Sequence, residues 1–242
     1  MKLLVIGGSG NVGSMVVPVL AATHDVRVFD LKPPRSEVDY VTGNIGDFAA
    51  IRSAIDDRDA LVYMAMGPLA GFGEPDNAAA HFDVAVKGLY LALRAANDAG
   101  IDHAVFTSSM SVFHESFALK GMPTEPYPDE SVPPNSTNFY GLAKRSGEEV
   151  CRAAVAEYGM SVVALRLCHP VANEEWPPER PDKAAFGTSG RDTADAILRA
   201  LEYRGHGFEP FGISGDATGR YVSTEKARRV LGWSPQDPIT PR

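Results

Sequence analysis

The first 30 residues follow a pattern that few folds can accommodate. Residues 3–6 are all apolar, which is typical of a strand buried on both faces of a sheet. A glycine-rich turn at residues 7–13 follows at once, and a helical pattern then continues to about residue 22. Residues 26–30 form a second strand pattern that ends in Asp30. Strand, glycine turn, helix, strand and acid together predict a βαβ unit that binds a nucleotide.

Each part of this unit has a physical role in holding a dinucleotide. Glycines allow backbone N–H groups to approach a pyrophosphate, and the helix N-terminus adds partial positive charge. Asp30 follows Gly10 by twenty residues, where a carboxylate can bond both ribose hydroxyls and repel a 2′-phosphate. This favours NAD over NADP, although Lys32 and Arg35 could reach a phosphate. The glycines expected to line the turn are Gly7, Gly10 and Gly13.

The rest of the chain continues the alternation of strands and helices. Further strands are predicted at 39–41, 59–65, 103–107 and 161–166, and helices at 48–56, 77–99, 139–158, 191–203 and 224–231. The pattern predicts an α/β fold of the Rossmann type, a doubly wound parallel sheet over residues 1–170. Residues 171–242 are expected to form a small substrate-binding part of the same compact unit. Three loops rich in Pro or Gly, at 67–76, 110–137 and 171–187, are expected to set specificity.

Tyr140 and Lys144 lie four residues apart near the start of a predicted helix, so both side chains share one face. A phenol ionises near pH 10, and a neighbouring ammonium would lower its pKa toward working pH. The pair could therefore remove a proton from a substrate hydroxyl. Tyr and Lys on an ordinary surface helix are the alternative interpretation of the same pattern.

Composition excludes several classes of protein. The net charge of −8 argues against a nucleic-acid partner, whose binding surface would be basic. No apolar run approaches the roughly 20 residues that span a bilayer, and no signal peptide is evident, so no membrane partner is predicted. Cys151 and Cys168 lack metal-ligand spacing and indicate small core residues in a reducing compartment. We expect a soluble cytoplasmic protein with no metal site.

In combination, four features resemble the short-chain dehydrogenase/reductase superfamily, in particular its extended branch, the NAD-dependent epimerase/dehydratase family. They are the Gly7-x-x-Gly10-x-x-Gly13 spacing, Thr107-Ser108-Ser109 after the fifth strand, Tyr140-x-x-x-Lys144, and a terminal helix before Trp233. The resemblance covers nearly the whole chain.

The resemblance implies a role for each matching residue. Ser109 would orient the substrate, Tyr140 would be the acid/base, and Lys144 would bind the nicotinamide ribose and lower the pKa of Tyr140. Asn44 and Ile45 would flank the adenine, and His169 would lie near the nicotinamide. The remaining cofactor contacts are expected from Ser9, Asn11, Val12, Met64, Ala65, Met66 and Cys168. Without the family context, the simpler interpretation of Ser109 is a strand-end hydroxyl that caps a turn, and that of His169 is a loop histidine hydrogen-bonded to its neighbours.

Departures from the family pattern narrow the function. Met110 and Ser111 stand where sugar-nucleotide dehydratases carry an Asp-Glu pair, which argues against a dehydratase. The short C-terminal part is similar to that of hexuronate dehydrogenases, which oxidise a free sugar acid. In that comparison Arg180 would meet the substrate carboxylate and Met110 would contact the substrate, although Arg180 could equally be a solvated charge between Glu179 and Asp182.

Three functional hypotheses remain open. The first is an NAD-dependent oxidoreductase that oxidises a hydroxyl of a sugar, sugar acid or similar polyol, with Tyr140 as acid/base. The second is an NAD-dependent epimerase of a sugar or nucleotide sugar, and the third is a non-catalytic NAD-binding sensor. The helices that begin near Asn77 and Tyr140 have apolar stripes and in this family pair across a two-fold axis. We therefore expect a homodimer, although core packing would also explain the stripes.

Overall fold

A seven-stranded parallel sheet forms the centre of the protein. The computed structural model describes residues 1–113, 125–179 and 185–240. The strand order is β3-β2-β1-β4-β5-β6-β9. The strands are β1 (Lys2–Ile6), β2 (Asp25–Asp30), β3 (Asp39–Thr42), β4 (Ala60–Tyr63), β5 (His103–Ser109), β6 (Ser161–Leu167) and β9 (Gly207–Ile213). Two short strands, β7 (Pro170–Val171) and β8 (Thr188–Ser189), pair in a separate sheet.

Helices cover both faces of the central sheet. They are α1 (Asn11–Ala21), α2 (Phe48–Ala54), α3 (Pro75–Phe82), α4 (Leu89–Asp98), α5 (Phe139–Tyr158) and α6 (Gly190–Glu202). Helices α1 and α6 bury Val16, Leu20 and Ile197 against one face. Helices α2, α4 and α5 bury Ile51, Leu93 and Cys151 against the other. Because both faces are covered, the central strands β1 and β4 are apolar and almost wholly buried, and the predicted doubly wound parallel sheet is confirmed.

Strand β9 is absent from the sequence prediction, which ended the sheet at the sixth strand. It pairs in parallel with β6 from Ser161↔Gly207 to Leu167↔Ile213 and lies at the edge of the sheet. Its sequence contains Pro210 and begins with Gly207, and both residue types are depleted in strands. An edge strand tolerates a proline because one side of its backbone needs no partner. Residues after position 170 thus contribute β9 to the central sheet, and helix α6 covers one face of that sheet.

The helix predicted over 77–99 is divided into three segments. A π-helical turn, Asp83–Gly88, separates α3 from α4. At this turn the carbonyl of Val84 accepts a hydrogen bond of 2.6 Å from the Tyr63 hydroxyl. A Cβ atom at Gly88 would overlap the Ile45 side chain, so a larger residue here would displace Ile45. π-helical turns insert one extra residue and are frequent at functional sites.

The last helix, predicted at about 224–231, is confirmed, because residues 225–231 are helical. A π-helical segment covers Ala227–Leu231, and Gly232 follows in the left-handed conformation with φ of 65°. Trp233 is fully buried, and its indole donates to the carbonyl of Asp192 at 3.1 Å. These contacts hold the segment against the start of α6. Within the described ranges, every helix is too short or too polar to cross a bilayer.

Candidate active site

One cavity of about 1120 Å³ opens at the carboxyl ends of the strands, where the chain order reverses between β1 and β4. This edge is the usual ligand position in doubly wound sheets, because loops and helix N-termini converge there. Asp30 and Asn44 line one end of the cavity, and Tyr140 and His169 line the other. The residues predicted to bind the cofactor and those predicted to be catalytic therefore line one continuous cavity.

The glycine turn after β1 forms the floor of the cavity. Gly7 has φ of 85°, and a Cβ atom on it would overlap the backbone of Ala65 on the neighbouring chain segment. A Cβ atom on Gly13 would overlap the backbone of Gly8 in the same way. Helix α1 begins directly after the turn with no side-chain cap, so its first N–H groups face the cavity. This backbone cradle fits a dinucleotide pyrophosphate.

Asp30 is fixed at the end of β2 by two backbone donors. Its Oδ2 accepts from the Ser9 nitrogen at 2.9 Å, and its Oδ1 accepts from the Leu31 nitrogen at 2.7 Å. Ser9 also donates its hydroxyl to the carbonyl of Lys32. The carboxylate is thus preorganised beside the glycine turn, where it can accept from ribose hydroxyls and oppose a phosphate. These residues fit NAD.

Tyr140 is positioned by the start of α5, whose predicted bounds of 139–158 are confirmed. The Asn138 side chain caps the helix by accepting from the Gly141 nitrogen at 2.9 Å, and Gly159 ends it with φ of 71°. A Cβ atom on Gly141 would overlap the carbonyl of Ser111, so the helix start packs directly on the loop after β5. This packing brings the Tyr140 phenol into hydrogen-bond contact with Ser109.

Lys144 lies one turn further along α5 and is 4% exposed. Its ammonium donates to the Thr107 carbonyl at 2.7 Å and lies 5.0 Å from the centre of the Phe106 ring. Burial lowers the pKa of Lys144 to about 8, while Cys151 and Glu148 raise it. The ammonium is therefore anchored to the end of β5 beside Ser109.

The pKa of Tyr140 differs from the sequence expectation. Burial raises the pKa of this phenol above its ordinary value, and the hydrogen bond from Ser109 opposes that rise. A lowered pKa was expected from Lys144, but desolvation of the phenolate is the larger effect in this arrangement. Tyr140 is accordingly a protonated donor at neutral pH here, and its Ser109 partner is the group that favours ionisation.

The structure brings most of the predicted site residues to the same cavity. Ser9 and Gly13 do not line the cavity; Ser9 bonds Asp30 and Gly13 packs against Gly8, so both support the glycine turn. Arg180 lies outside the described residues. His169 has φ of 37°, and its ring centre lies 5.4 Å from that of Phe186. The predicted residues that line the cavity are Gly7, Gly10, Asn11, Val12, Asp30, Asn44, Ile45, Met64, Ala65, Met66, Ser109, Met110, Tyr140, Lys144, Cys168 and His169.

Two aromatic residues beside Tyr140 were missed by the sequence analysis. His81 of α3 is 2% exposed, and its ring meets that of Tyr140 edge-on at 5.6 Å. Phe72 lies on the loop at 67–74, with ring centres 5.9 Å from Tyr140 and 4.7 Å from Phe139. The loop is held by Asn77, which donates to the carbonyls of two of its residues. No periodicity marks such residues, because a loop and a different helix bring them together.

Comparison with known proteins agrees with this geometry. The model of the NAD dependent epimerase/dehydratase family matches residues 3–188. The chain is 26% identical to an L-arabinose 1-dehydrogenase (NAD(P)(+)) of Haloferax volcanii, covering 98% of this chain and 96% of that protein. It is also 26% identical to an NAD-dependent glucose-6-phosphate dehydrogenase of the same organism, with 97% and 93% covered.

A solved structure described as a mutated uronate dehydrogenase has the same fold. It superposes with a TM-score of 0.80 at 23% identity, over 98% of this chain and 82% of that one. Because the family model matches more than half of the sequence, the chain belongs to the NAD-dependent epimerase/dehydratase family.

Proposed function

We propose that the protein is an NAD-dependent dehydrogenase of a sugar, sugar acid or sugar phosphate. The observation that carries the proposal is the contact of Tyr140 with Ser109, beside the anchored Lys144, in the cavity that also holds the glycine turn and Asp30. The proton acceptor, the orienting hydroxyl and the backbone that would hold the cofactor thus line the same cavity. The full-length similarity to two sugar dehydrogenases supports the substrate class.

In the proposed reaction, Ser109 holds the substrate hydroxyl and Tyr140 takes its proton. Lys144 binds the nicotinamide ribose through its ammonium. The NAD supplies the hydride acceptor, so the protein's contribution is orientation, proton transfer and exclusion of water. Tyr140 must be ionised before it can accept the proton, and because burial raises its pKa the oxidation rate should increase with pH above neutrality.

The test is NADH formation by the purified protein with a panel of free aldoses, hexuronates and hexose phosphates. Steady NADH formation with one substrate supports a dehydrogenase and identifies the substrate. A flat trace together with tight NAD binding contradicts the dehydrogenase proposal. The remaining candidates would then be epimerisation without net NADH formation, or a non-catalytic NAD-binding protein.

Phe72 is expected to determine substrate affinity. The Phe72→Ala variant should raise the KM for the sugar about fivefold, because an aromatic contact of this kind contributes on the order of 1 kcal/mol. The KM for NAD should stay unchanged, since Phe72 packs near Tyr140. Val132→Ala is the control, because Val132 is also an exposed apolar residue, 41% exposed, and does not line the cavity. Equal effects of the two variants on the KM for the sugar would contradict a specific role for Phe72.

We also propose that residues 171–242 complete the substrate end of the cavity and that Arg180 binds a substrate carboxylate. Phe186, which is fully buried, lines the cavity from this segment and supports its role. Arg180→Ala should raise the KM for hexuronates and leave the KM for neutral aldoses unchanged. A uniform change for both substrate classes would contradict the assignment.

For the assembly we propose a homodimer in the cytoplasm. Helices α4 and α5 pack side by side, and Tyr90 on α4 is 47% exposed, which supports a shared interface on this face. The buried thiols of Cys151 and Cys168 are unpaired, as expected in a reducing compartment. Light scattering at several protein concentrations measures the mass, and a monomer at all of them would contradict the dimer.

A further inference from the structure

A buried ion pair lies next to the candidate active site. Arg166 donates from Nε to Oε1 of Glu148 at 2.9 Å and from Nη2 to Oε2 at 2.8 Å. The side chains are 1% and 0% exposed. Ser108 donates its hydroxyl to the same Oε1 at 2.7 Å. The sheet register pairs Ser108 with Arg166, so two neighbouring strands present both donors to one carboxylate of α5. Such bidentate geometry compensates the desolvation of the charges.

The network connects directly to the groups that would act on the substrate. Ser108 stands between Thr107, whose carbonyl holds the Lys144 ammonium, and Ser109, which contacts Tyr140. Glu148 lies one helical turn after Lys144, on the same face of α5. A single carboxylate therefore fixes the end of β5 relative to the helix that carries both residues. Buried ion pairs can often be replaced by apolar side chains without loss of stability, so stability by itself is a weak explanation for this one.

Charged and titratable groups face Lys144 from several elements. His81 of α3 is kept neutral at neutral pH, because burial and the charge of Lys144 both lower its pKa. Burial raises the pKa of the Cys151 thiol well above 9, so that group is neutral as well. Glu148 is then the anion on α5 that acts on Lys144. The other ionisable groups nearby are Tyr140 on α5, Asp83 and Lys87 on the π-helical turn, His169 after β6, and Arg166 on β6.

We propose that Glu148, paired with Arg166 and bonded by Ser108, is a positioning residue that fixes the end of β5 against α5 and so directs the Lys144 ammonium toward the cofactor ribose. The inference rests on the role that the proposed function gives to Lys144. Glu148 opposes the loss of the Lys144 proton that burial favours, and the Ser108 bond holds the Thr107 carbonyl in place. Arg166 balances the charge of this buried carboxylate.

The test is the affinity for NADH, measured by fluorescence from about pH 6 to about pH 10. In the wild type, affinity should fall as pH rises through the pKa of Lys144, near 8, because the ammonium loses its proton. In the Glu148→Gln variant the carboxylate charge is absent and the Arg166 charge remains, while Gln can still accept from Ser108. Both effects disfavour the Lys144 ammonium, so the fall in affinity should occur at a lower pH than in the wild type.

Three further variants make the result decisive. Glu148→Asp keeps the carboxylate and should restore the wild-type pH dependence. Asp195→Asn/Arg199→Met removes an ion pair of 2.8 Å on α6 and should leave the profile unchanged. If Glu148→Gln does not fold, the double variant Glu148→Gln/Arg166→Met removes both charges of the pair, and its NADH affinity should be lower than that of the wild type at every pH because the link between α5 and β6 is lost. A folded variant that melts like the wild type and loses NADH affinity at the same pH would overturn the inference.

The Lys144→Met variant separates this inference from the proposed function. Its NADH affinity should be lower than that of the wild type and should not change near pH 8. If Lys144→Met and the wild type follow the same curve, Lys144 does not bind the ribose and its assigned role fails. If only the Glu148 variants follow the wild-type curve, the role of Lys144 stands and the positioning role of Glu148 is overturned.

Discussion

The Tyr140→Phe variant should lose between about a hundredfold and ten-thousandfold of the wild-type kcat, because removal of a general base typically has an effect of this size. Phenylalanine keeps the ring, so the edge contact with His81 at 5.6 Å and the packing of α5 should remain. The affinity for NAD should therefore stay within a factor of about two, since the change removes one hydroxyl and no charge. The measurement combines initial rates of NADH formation with NADH binding by fluorescence.

Tyr158→Phe is the matched control for this variant. Tyr158 is the last residue of the same helix, so the substitution is chemically identical and lies at the far end of α5 from the cavity. Its kcat should equal that of the wild type. A Tyr140→Phe variant that keeps most of its kcat would remove Tyr140 from the acid/base role. The proton would then have to pass to another group. Ser109 is the candidate, because it is in direct contact with Tyr140.

The second large effect is expected at Asp30. The Asp30→Ser variant should lower kcat/KM for NAD tenfold to a hundredfold, because a charge-assisted hydrogen bond contributes about 1.5–3 kcal/mol. It should raise kcat/KM for NADP, since the charge that opposes a 2′-phosphate is absent and Lys32 lines the same cavity. The ratio of the two values should therefore change by about two orders of magnitude or more.

Asp30 also orders the glycine turn through the Ser9 nitrogen, so its replacement should cost some stability. Thermal melting of the variant separates that effect from cofactor selection, because a weakened turn would reduce affinity for NAD and NADP alike. Asp25→Asn is the control, since Asp25 begins the same strand at its opposite end and is exposed. An unchanged preference for NAD in Asp30→Ser would contradict the assignment of Asp30 to the ribose.

Much of this fold is encoded locally and was therefore predictable. The helix at 139–158 is preceded by its cap residue, Asn138, and followed by its terminating glycine, Gly159, so the sequence marks both of its ends. The first strand, the glycine turn and the acid at the end of β2 are contiguous patterns of the same kind. Residues whose function depends on such a pattern, including Tyr140 and Lys144, could be assigned to one cavity before their contacts were known.

Other features depend on contacts between distant segments. Strand β9 contains Pro210, and its identity as a strand comes from pairing with β6 rather than from its own composition. His81 and Phe72 approach Tyr140 only because a loop and α3 fold over the start of α5. The direction of the Tyr140 pKa follows from burial, which spacing alone does not report. Glu148 did have a signal, since it is an acid four residues beyond Lys144 on the same helical face.

The π-helical turn at Asp83–Gly88 has a consequence for the phase of the helices on either side of it. One extra residue in a turn rotates everything that follows by about 100° relative to a continuous α-helix. The apolar side of α4, which buries Leu89 and Leu93, is therefore in register with the core only because that residue is present. Deleting a single residue here would turn this apolar side toward water, whereas most substitutions would not. Among related sequences, the spacing across this turn should consequently vary less than the identity of the residues within it.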